Sequence, residues 1–305
     1  MQQPNQQMQT VLDTYAKLGP LPVETLSAEN ARKLPTLVDA VFGLVSEHIL
    51  VRAAAPFIEP VGKIKHVRIL VEDGEIIARV YTPITEGPYP VIVYYHGGGW
   101  VIGNPDVYDS SCRALCNGVG AVIVSVAYRL SPEHKFPTAH NDAHAAKEWV
   151  MQNIQTLNGI QDKVAIAGES AGGNLATSVC MMSRDKGTMM PVHQLLVYPI
   201  TDLSKESSTY KEYAEAKPLS ASMMRWFKET YVSSPDDVLN PYLSPLLGDV
   251  SGMPPATVIL AEIDPLRAEG EAYAEKLQHA GIATTMTCYT GVTHEFFGMK
   301  DVLNE

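Results

Sequence analysis

The chain has 305 residues, enough for one large α/β domain or two ordinary ones, and its 46% hydrophobic and 19% charged content can bury a sizeable core. A formal net charge of −11 argues against nucleic-acid binding, which needs basic patches to neutralise phosphates, and the pair Lys63 and Lys65 reads as a solvated strand edge. No apolar run approaches the ~18 residues of a membrane span, and Met1-Gln2-Gln3-Pro4 has neither the charge nor the apolar stretch of a signal peptide, so a cytoplasmic protein is expected. The first fifty or so residues read as peripheral helices. Met8, Val11, Leu12 and Tyr15 repeat at helical spacing up to Gly19-Pro20, and a second apolar stripe runs through Leu34, Leu37, Val38, Val41 and Val45. Strands begin after Pro60: residues 67–71 and 76–81 flank Glu72-Asp73-Gly74-Glu75, whose Asp-Gly signals a β-hairpin. Residues 90–95, 121–127, 163–167, 193–198 and 256–261 are then short, β-branched, nearly continuous apolar runs separated by helical-period segments. Strands buried on both faces by crossover helices give this alternation, which predicts a mostly parallel sheet. A last strand, 284–289, follows a helix ended by Gly281. Residues 200–250 break the pattern, being rich in Ser, Tyr and Pro with one apolar helical patch, Met223-Met224-Arg225-Trp226-Phe227. Together with the N-terminal helices they read as a cap over the end of the sheet.

Two glycine-rich turns carry the chemistry. The pattern G-x-S-x-G in Gly168-Glu169-Ser170-Ala171-Gly172 is weak alone, arising by chance in about one chain in ten of this length. Here a buried strand precedes it and an apolar helix (Leu175, Ala176, Val179) follows. That context predicts Ser170 as a nucleophile on a strained strand-to-helix turn, rather than a serine that only caps a helix. His96-Gly97-Gly98-Gly99-Trp100 directly follows the run 90–95, and three glycines leave backbone N–H groups unobstructed, as an oxyanion hole requires. The turn lacks the spacing and lysine of a phosphate-binding loop. The expected donors are the amides of Gly97, Gly98 and Ala171. An acid and a base should follow the nucleophile in the chain. Asp264 comes just past the strand 256–261 and before the helix-starting Pro265, with Glu262 as its rival and helix capping as its plain alternative. His294 lies in the loop after the last strand. His96 is better suited to support the glycine turn, and His140 and His144, four apart on a helix, lack the adjacent Glu of a zinc motif. Cys112 and Cys116 share that spacing but read as half-buried thiols in a reducing compartment, so neither a metal nor an organic cofactor is expected.

These motifs, with Tyr128-Arg129-Leu130-Ser131-Pro132-Glu133-His134, Pro241-Tyr242-Leu243-Ser244-Pro245 and Asp264-Pro265-Leu266-Arg267, resemble the hormone-sensitive-lipase family of α/β-hydrolases, the bacterial family IV esterases, from about residue 60 to the end. The resemblance implies an α/β-hydrolase fold with a mostly parallel eight-stranded sheet flanked by helices. Residues 1–55 would be N-terminal cap helices, and 56–305 a catalytic domain with a cap insertion at about 200–240. It implies hydrolysis of small-molecule carboxylic esters by Ser170, His294 and Asp264 through an acyl-enzyme, and a homodimer joined along the last strand, 284–289. Trp100, Met223, Met224, Trp226 and Phe227 would line the substrate pocket, a closed apolar roof that favours short- to medium-chain acyl groups; gluing the cap to the core is the plain alternative for each. Two residues depart from the family pattern. Glu169 stands where many members carry Asp, and Glu295 where most carry Gly, which alters the electrostatics and backbone beside His294. Amides, lactones and carbamates stay open as substrates. Ser170, Asp264 and His294 together disfavour a non-catalytic receptor such as the plant gibberellin receptors, which resemble this family without its histidine. No charge run or disordered arm supports a partner-binding protein with a vestigial pocket.

Overall fold

The computed structural model describes residues 2–46 and 58–304, with the backbone alone of 47–52. Helices α1 (Gln6–Lys17), α2 (Ala28–Ala31) and α3 (Leu37–Arg52) precede a hairpin of β1 (Lys63–Val71) and β2 (Gly74–Thr82). Then come β3 (Tyr89–Tyr95), α4 (Asp109–Val119), β4 (Val122–Ala127), α5 (Thr138–Gln152), β5 (Gly159–Glu169), α6 (Ala171–Asp185) and β6 (Gln194–Val197). After α7 (Ser208–Glu212) and α8 (Ala221–Tyr231) the chain completes β7 (Ala256–Ile263), α9 (Arg267–His279) and β8 (Thr284–Thr293). The strands form one eight-stranded sheet in the order β1-β2-β4-β3-β5-β6-β7-β8. β2 runs antiparallel to both neighbours and the remaining pairs are parallel, the mostly parallel sheet expected from the apolar runs.

Alternate residues of the central strands enter different cores, as a period of two requires. Val91, Val93 and Tyr95 of β3, with Val122, Val124 and Val126 of β4, pack with Ala143, Ala146 and Val150 of α5 and with Leu175 and Val179 of α6. Ile92, Tyr94 and Ile123 face the other way, against Cys112 and Cys116 of α4. Both faces are covered, so the strands read as unbroken apolar runs, and each buried valine contributes roughly 1.5–3 kcal/mol. The outer hairpin differs from its sequence reading. Val71 pairs with Gly74, so Glu72 and Asp73 alone form the turn and both strands are longer than their apolar segments. Only Ile69 of β1 is buried, which left the strand's polar ends without a pattern to mark them.

α1 is anchored on the sheet's carboxyl end. Met8 and Val11 are fully buried in a cluster with Leu37 of α3, Val197 and Tyr198 at the end of β6, and Val292 and Phe296 around the end of β8. Asn5 accepts from the Met8 N–H at 2.8 Å and donates its own N–H to the Gly291 carbonyl at 2.8 Å, capping the helix and tying it to β8. The 200–240 stretch is fastened at several points: Ser222 donates to Glu24 at 2.6 Å, and the Phe136 N–H donates to the Tyr231 carbonyl at 2.9 Å. No helix among the described residues is long and apolar enough to cross a membrane.

Candidate active site

β5 runs straight into Ser170, which opens α6 at φ +56° and ψ −117°, a backbone region costly for a residue with a Cβ. Glycine is required around it by close approach: a Cβ on Gly172 would lie 1.9 Å from the Tyr95 carbonyl oxygen. The Ser170 side chain makes no capping hydrogen bond, although it occupies the N-cap position. Its N–H instead donates to the Val197 carbonyl at 2.9 Å, which fixes the turn against the end of β6. The next residue there, Tyr198, sets its ring 4.3 Å from the ring of His294. The nucleophile turn and the histidine loop therefore meet at the carboxyl end of β6.

His294 follows the last residue of β8, and Asp264 follows the last residue of β7; both are buried. Asp264 Oδ2 lies 2.6 Å from His294 Nδ1, and Asp264 Oδ1 accepts the Leu266 N–H at 2.9 Å. Burial opposes the charged imidazole, but Asp264 outweighs it, with Glu295 and Glu169 adding to it, so the His294 pKa is raised. The rival acid is elsewhere. Glu262 Oε2 accepts the Gly291 N–H at 2.7 Å, so its carboxylate holds the β8 backbone, not the imidazole.

The glycine turn after β3 lies beside the nucleophile. Gly98, at φ +100°, folds the turn so tightly that a Cβ there would sit 2.2 Å from the Ile102 carbonyl oxygen. A Cβ on Gly97 would meet the Tyr108 hydroxyl at 2.5 Å and the Glu169 carbonyl at 3.1 Å, so this backbone passes next to the residue preceding Ser170. Ala171 is the first residue of α6, and its N–H has no acceptor in that helix's own ladder. His96 is buried beneath the turn with Nδ1 2.7 Å from the Gly97 carbonyl and its ring stacked 4.3 Å from Tyr128; burial lowers its pKa to about 4.

The residues expected to bind substrate are distributed unevenly. Trp100 is fully buried and stacks on Tyr231 of α8 at 4.5 Å. Phe227 presses on the glycine turn, where a Cβ on Gly99 would lie 2.2 Å from its ring. Met224 is buried in the same core, and Met223 and Trp226 are half-buried against it. None of the five lines the largest cavity, about 320 Å³, which lies on the other side of the site. That cavity is bounded by Glu169 and Glu295, by Leu37 and Val41 of α3, by Tyr108 beside α4, and by Phe297 and Met299. His140 and His144 serve structure: His140 bridges the Tyr231 hydroxyl at 2.8 Å and Asn174 Oδ1 at 3.0 Å, and His144 Nε2 lies 3.5 Å from Glu148. No group of three or more His, Cys, Asp or Glu suited to a metal occurs among the described residues.

Two features escaped the motif reading. Glu169 points away from Ser170's chemistry into a cage of tyrosines, accepting from the Tyr94 hydroxyl and, at 2.5 Å, from the Tyr198 hydroxyl. Burial pushes its pKa up to about 7, against those hydrogen bonds and with help from Glu295. Glu295 itself stands at φ +68°, and its carboxylate lies 3.4 Å from the Tyr108 hydroxyl. The departures at 169 and 295 were the sequence signal for both; nothing in the pattern pointed to Tyr94, Tyr108 or Tyr198.

Comparison with known proteins bears on this arrangement. A family signature described as alpha/beta hydrolase fold matches residues 92–298. The carboxylic ester hydrolase LipN of Mycobacterium tuberculosis is 40% identical over 233 residues, 74% of this chain; the match spans 62% of LipN, under two thirds of its length. The ethyl acetate hydrolase of Pseudomonas putida is 35% identical over 248 residues, covering 79% of this chain and 78% of that protein. A hyperthermophilic esterase from Pyrobaculum calidifontis superposes with a TM-score of 0.87 at 39% identity, covering 100% of this chain and 94% of that one.

Proposed function

Because the chain belongs to the α/β-hydrolase superfamily and is a carboxylic ester hydrolase of the hormone-sensitive-lipase type, we propose that it cleaves short- to medium-chain esters through Ser170, His294 and Asp264. Ser170 attacks the ester carbonyl as His294 takes its proton, while Asp264 holds the imidazole tautomer and stabilises the cation. The amides of Gly97, Gly98 and Ala171 receive the developing oxyanion. His294 then protonates the departing alkoxide, and water repeats the cycle on the acyl-enzyme. The observation that carries this reading is the 2.6 Å contact between the buried Asp264 and His294, beside a serine held at φ +56°. Phe227, pressed on the glycine turn, is the cap residue best set to bound the acyl chain, with Met223 and Trp226 behind it. Three of the four free cysteines are buried, which suits a reducing, cytoplasmic setting.

The test is a chain-length series of p-nitrophenyl esters with Ser170→Ala as control. The expected result is a rise in kcat/KM from acetyl to butanoyl or hexanoyl, a steep fall for long chains, and a loss of roughly 10⁴-fold or more in Ser170→Ala. A Ser170→Ala protein that keeps a tenth of the activity refutes the nucleophile. A steady climb through palmitoyl refutes the bounded pocket.

A further inference from the structure

Granting the triad reading, we propose that Glu295 is a specificity residue for the departing alcohol, and that the cavity beside it takes alcohols carrying an ammonium group two carbons from the ester oxygen. The cavity reaches the reacting atoms from the histidine side. It is lined by Glu295, next in chain to His294, and by Phe297 and Met299 beyond it, while Glu169, next to Ser170, closes its inner end. Tyr108 spans the gap: its hydroxyl lies 3.4 Å from Glu295 and next to Gly97 of the oxyanion turn. Since His294 is the group that protonates the leaving alkoxide, the space on its side is where the alcohol departs.

The charges in this cavity are satisfied with one exception. Arg79 pairs with Asp106 at 2.5 Å and with Asp109 at 3.4 Å, Arg113 pairs with Asp109 at 2.5 Å, and Lys300 pairs with Glu59. Glu169 is held by two tyrosines. Glu295 has one long hydrogen bond from Tyr108 among the described residues, although a carboxylate can accept several. A half-buried carboxylate so poorly supplied with donors is costly unless a ligand completes it. The apolar wall of Val41, Phe297 and Met299 suits the methyl groups of a tertiary ammonium, and the N–H⁺ suits the carboxylate. The backbone points the same way. Glu295 occupies φ +68°, where glycine would be the unstrained residue, so the side chain is kept at a conformational cost.

The experiment compares 2-(dimethylamino)ethyl butanoate with its neutral isostere, 3-methylbutyl butanoate, at pH 7 on a pH-stat. Wild type, Glu295→Gln and Glu295→Gly are each assayed on both esters and on p-nitrophenyl butanoate. The ratio of kcat/KM for the ammonium ester over the isostere should fall roughly tenfold in both variants, the worth of one charge-assisted hydrogen bond. A ratio within about twofold of wild type in both active variants overturns the assignment. Glu295→Gly keeps the test open if the glutamine variant folds poorly, because glycine relieves the backbone at this position. Should wild type fail on all three esters, the triad reading itself has failed, which is a different outcome from an unchanged ratio in active enzymes.

Discussion

Asp264→Asn probes the site more sharply than removal of the nucleophile, because both carboxylate oxygens are already spoken for. Oδ1 accepts the Leu266 N–H and Oδ2 faces Nδ1 of His294, each in a fully buried setting. An asparagine has one acceptor oxygen. If it serves Leu266, the amide NH₂ faces Nδ1 and forces the imidazole proton onto Nε2, the atom that must take the proton of Ser170. If it serves His294, two donors confront each other at Leu266, at about 1–3 kcal/mol for the unsatisfied pair. The first arrangement keeps the fold and loses the chemistry, so kcat should drop on the order of 10⁴-fold, roughly 5.5 kcal/mol of barrier. The pH profile should move as well. Activity needs neutral His294 and so rises with pH through its pKa. Asp264 is what outweighs burial in holding that pKa up, and without it the acid limb of kcat/KM should shift to lower pH. The assay is kcat/KM for p-nitrophenyl butanoate across pH, read at the isosbestic wavelength. Glu262→Gln serves as comparator and should be mild, since glutamine can still accept the Gly291 N–H. A loss smaller than tenfold, or an acid limb that stays where it was, would refute the coupling of Asp264 to His294.

Glu169, with a pKa raised by burial from 4.5 to about 7, is protonated in the fold at pH values where the unfolded chain has lost its proton. Its ionisation therefore costs stability as pH climbs through that window, on the order of 3 kcal/mol at ~1.36 kcal/mol per unit, and the melting advantage of Glu169→Gln over wild type should be larger at pH 9 than at pH 5. Equal differences at both pH values would show that the buried carboxyl does not titrate this way. β8 pairs with β7 on one side only and ends the sheet, so a second copy pairing along it should give a dimer by light scattering at micromolar concentration; a monomer there removes the idea.

The strands that the sequence marked best are those covered on both faces. β3 and β4 were placed within one residue at each end, because Val91 to Tyr95 and Val122 to Val126 are buried without interruption. β5 begins at Gly159, four residues before its apolar run, since Gln161, Asp162 and Lys163 are solvent-facing there. The acid was legible only as a choice between Glu262 and Asp264. Both sit at the same strand end, and the choice depends on which way each side chain points: Glu262 toward Gly291, Asp264 toward His294. The cavity was not legible at all. It joins segments around 37–42, 106–113 and 295–301, which share no spacing and meet only because α3 and α4 cross the same end of the sheet.

Strain in the backbone is concentrated where the chemistry is expected. Among the described residues, positive φ in a non-glycine occurs at Trp100, Asn158, Ser170, Tyr198 and Glu295. Apart from Asn158, each follows the carboxyl end of a strand: β3, β5, β6 and β8 in turn. At roughly 1–3 kcal/mol apiece, four such residues set several kcal/mol against a fold whose net stability is of similar size. A sheet packed on both faces can hold them, because neither neighbouring strand can shift without opening a core. Ser170 needs its turn to present the hydroxyl, and Tyr198 sits between Glu169 and the His294 ring. Glu295 differs from these, because a glycine at that position would free the backbone and leave every hydrogen bond of the triad in place. Its carboxylate therefore has to act on something outside the triad, and the face it presents is the cavity where the alcohol leaves.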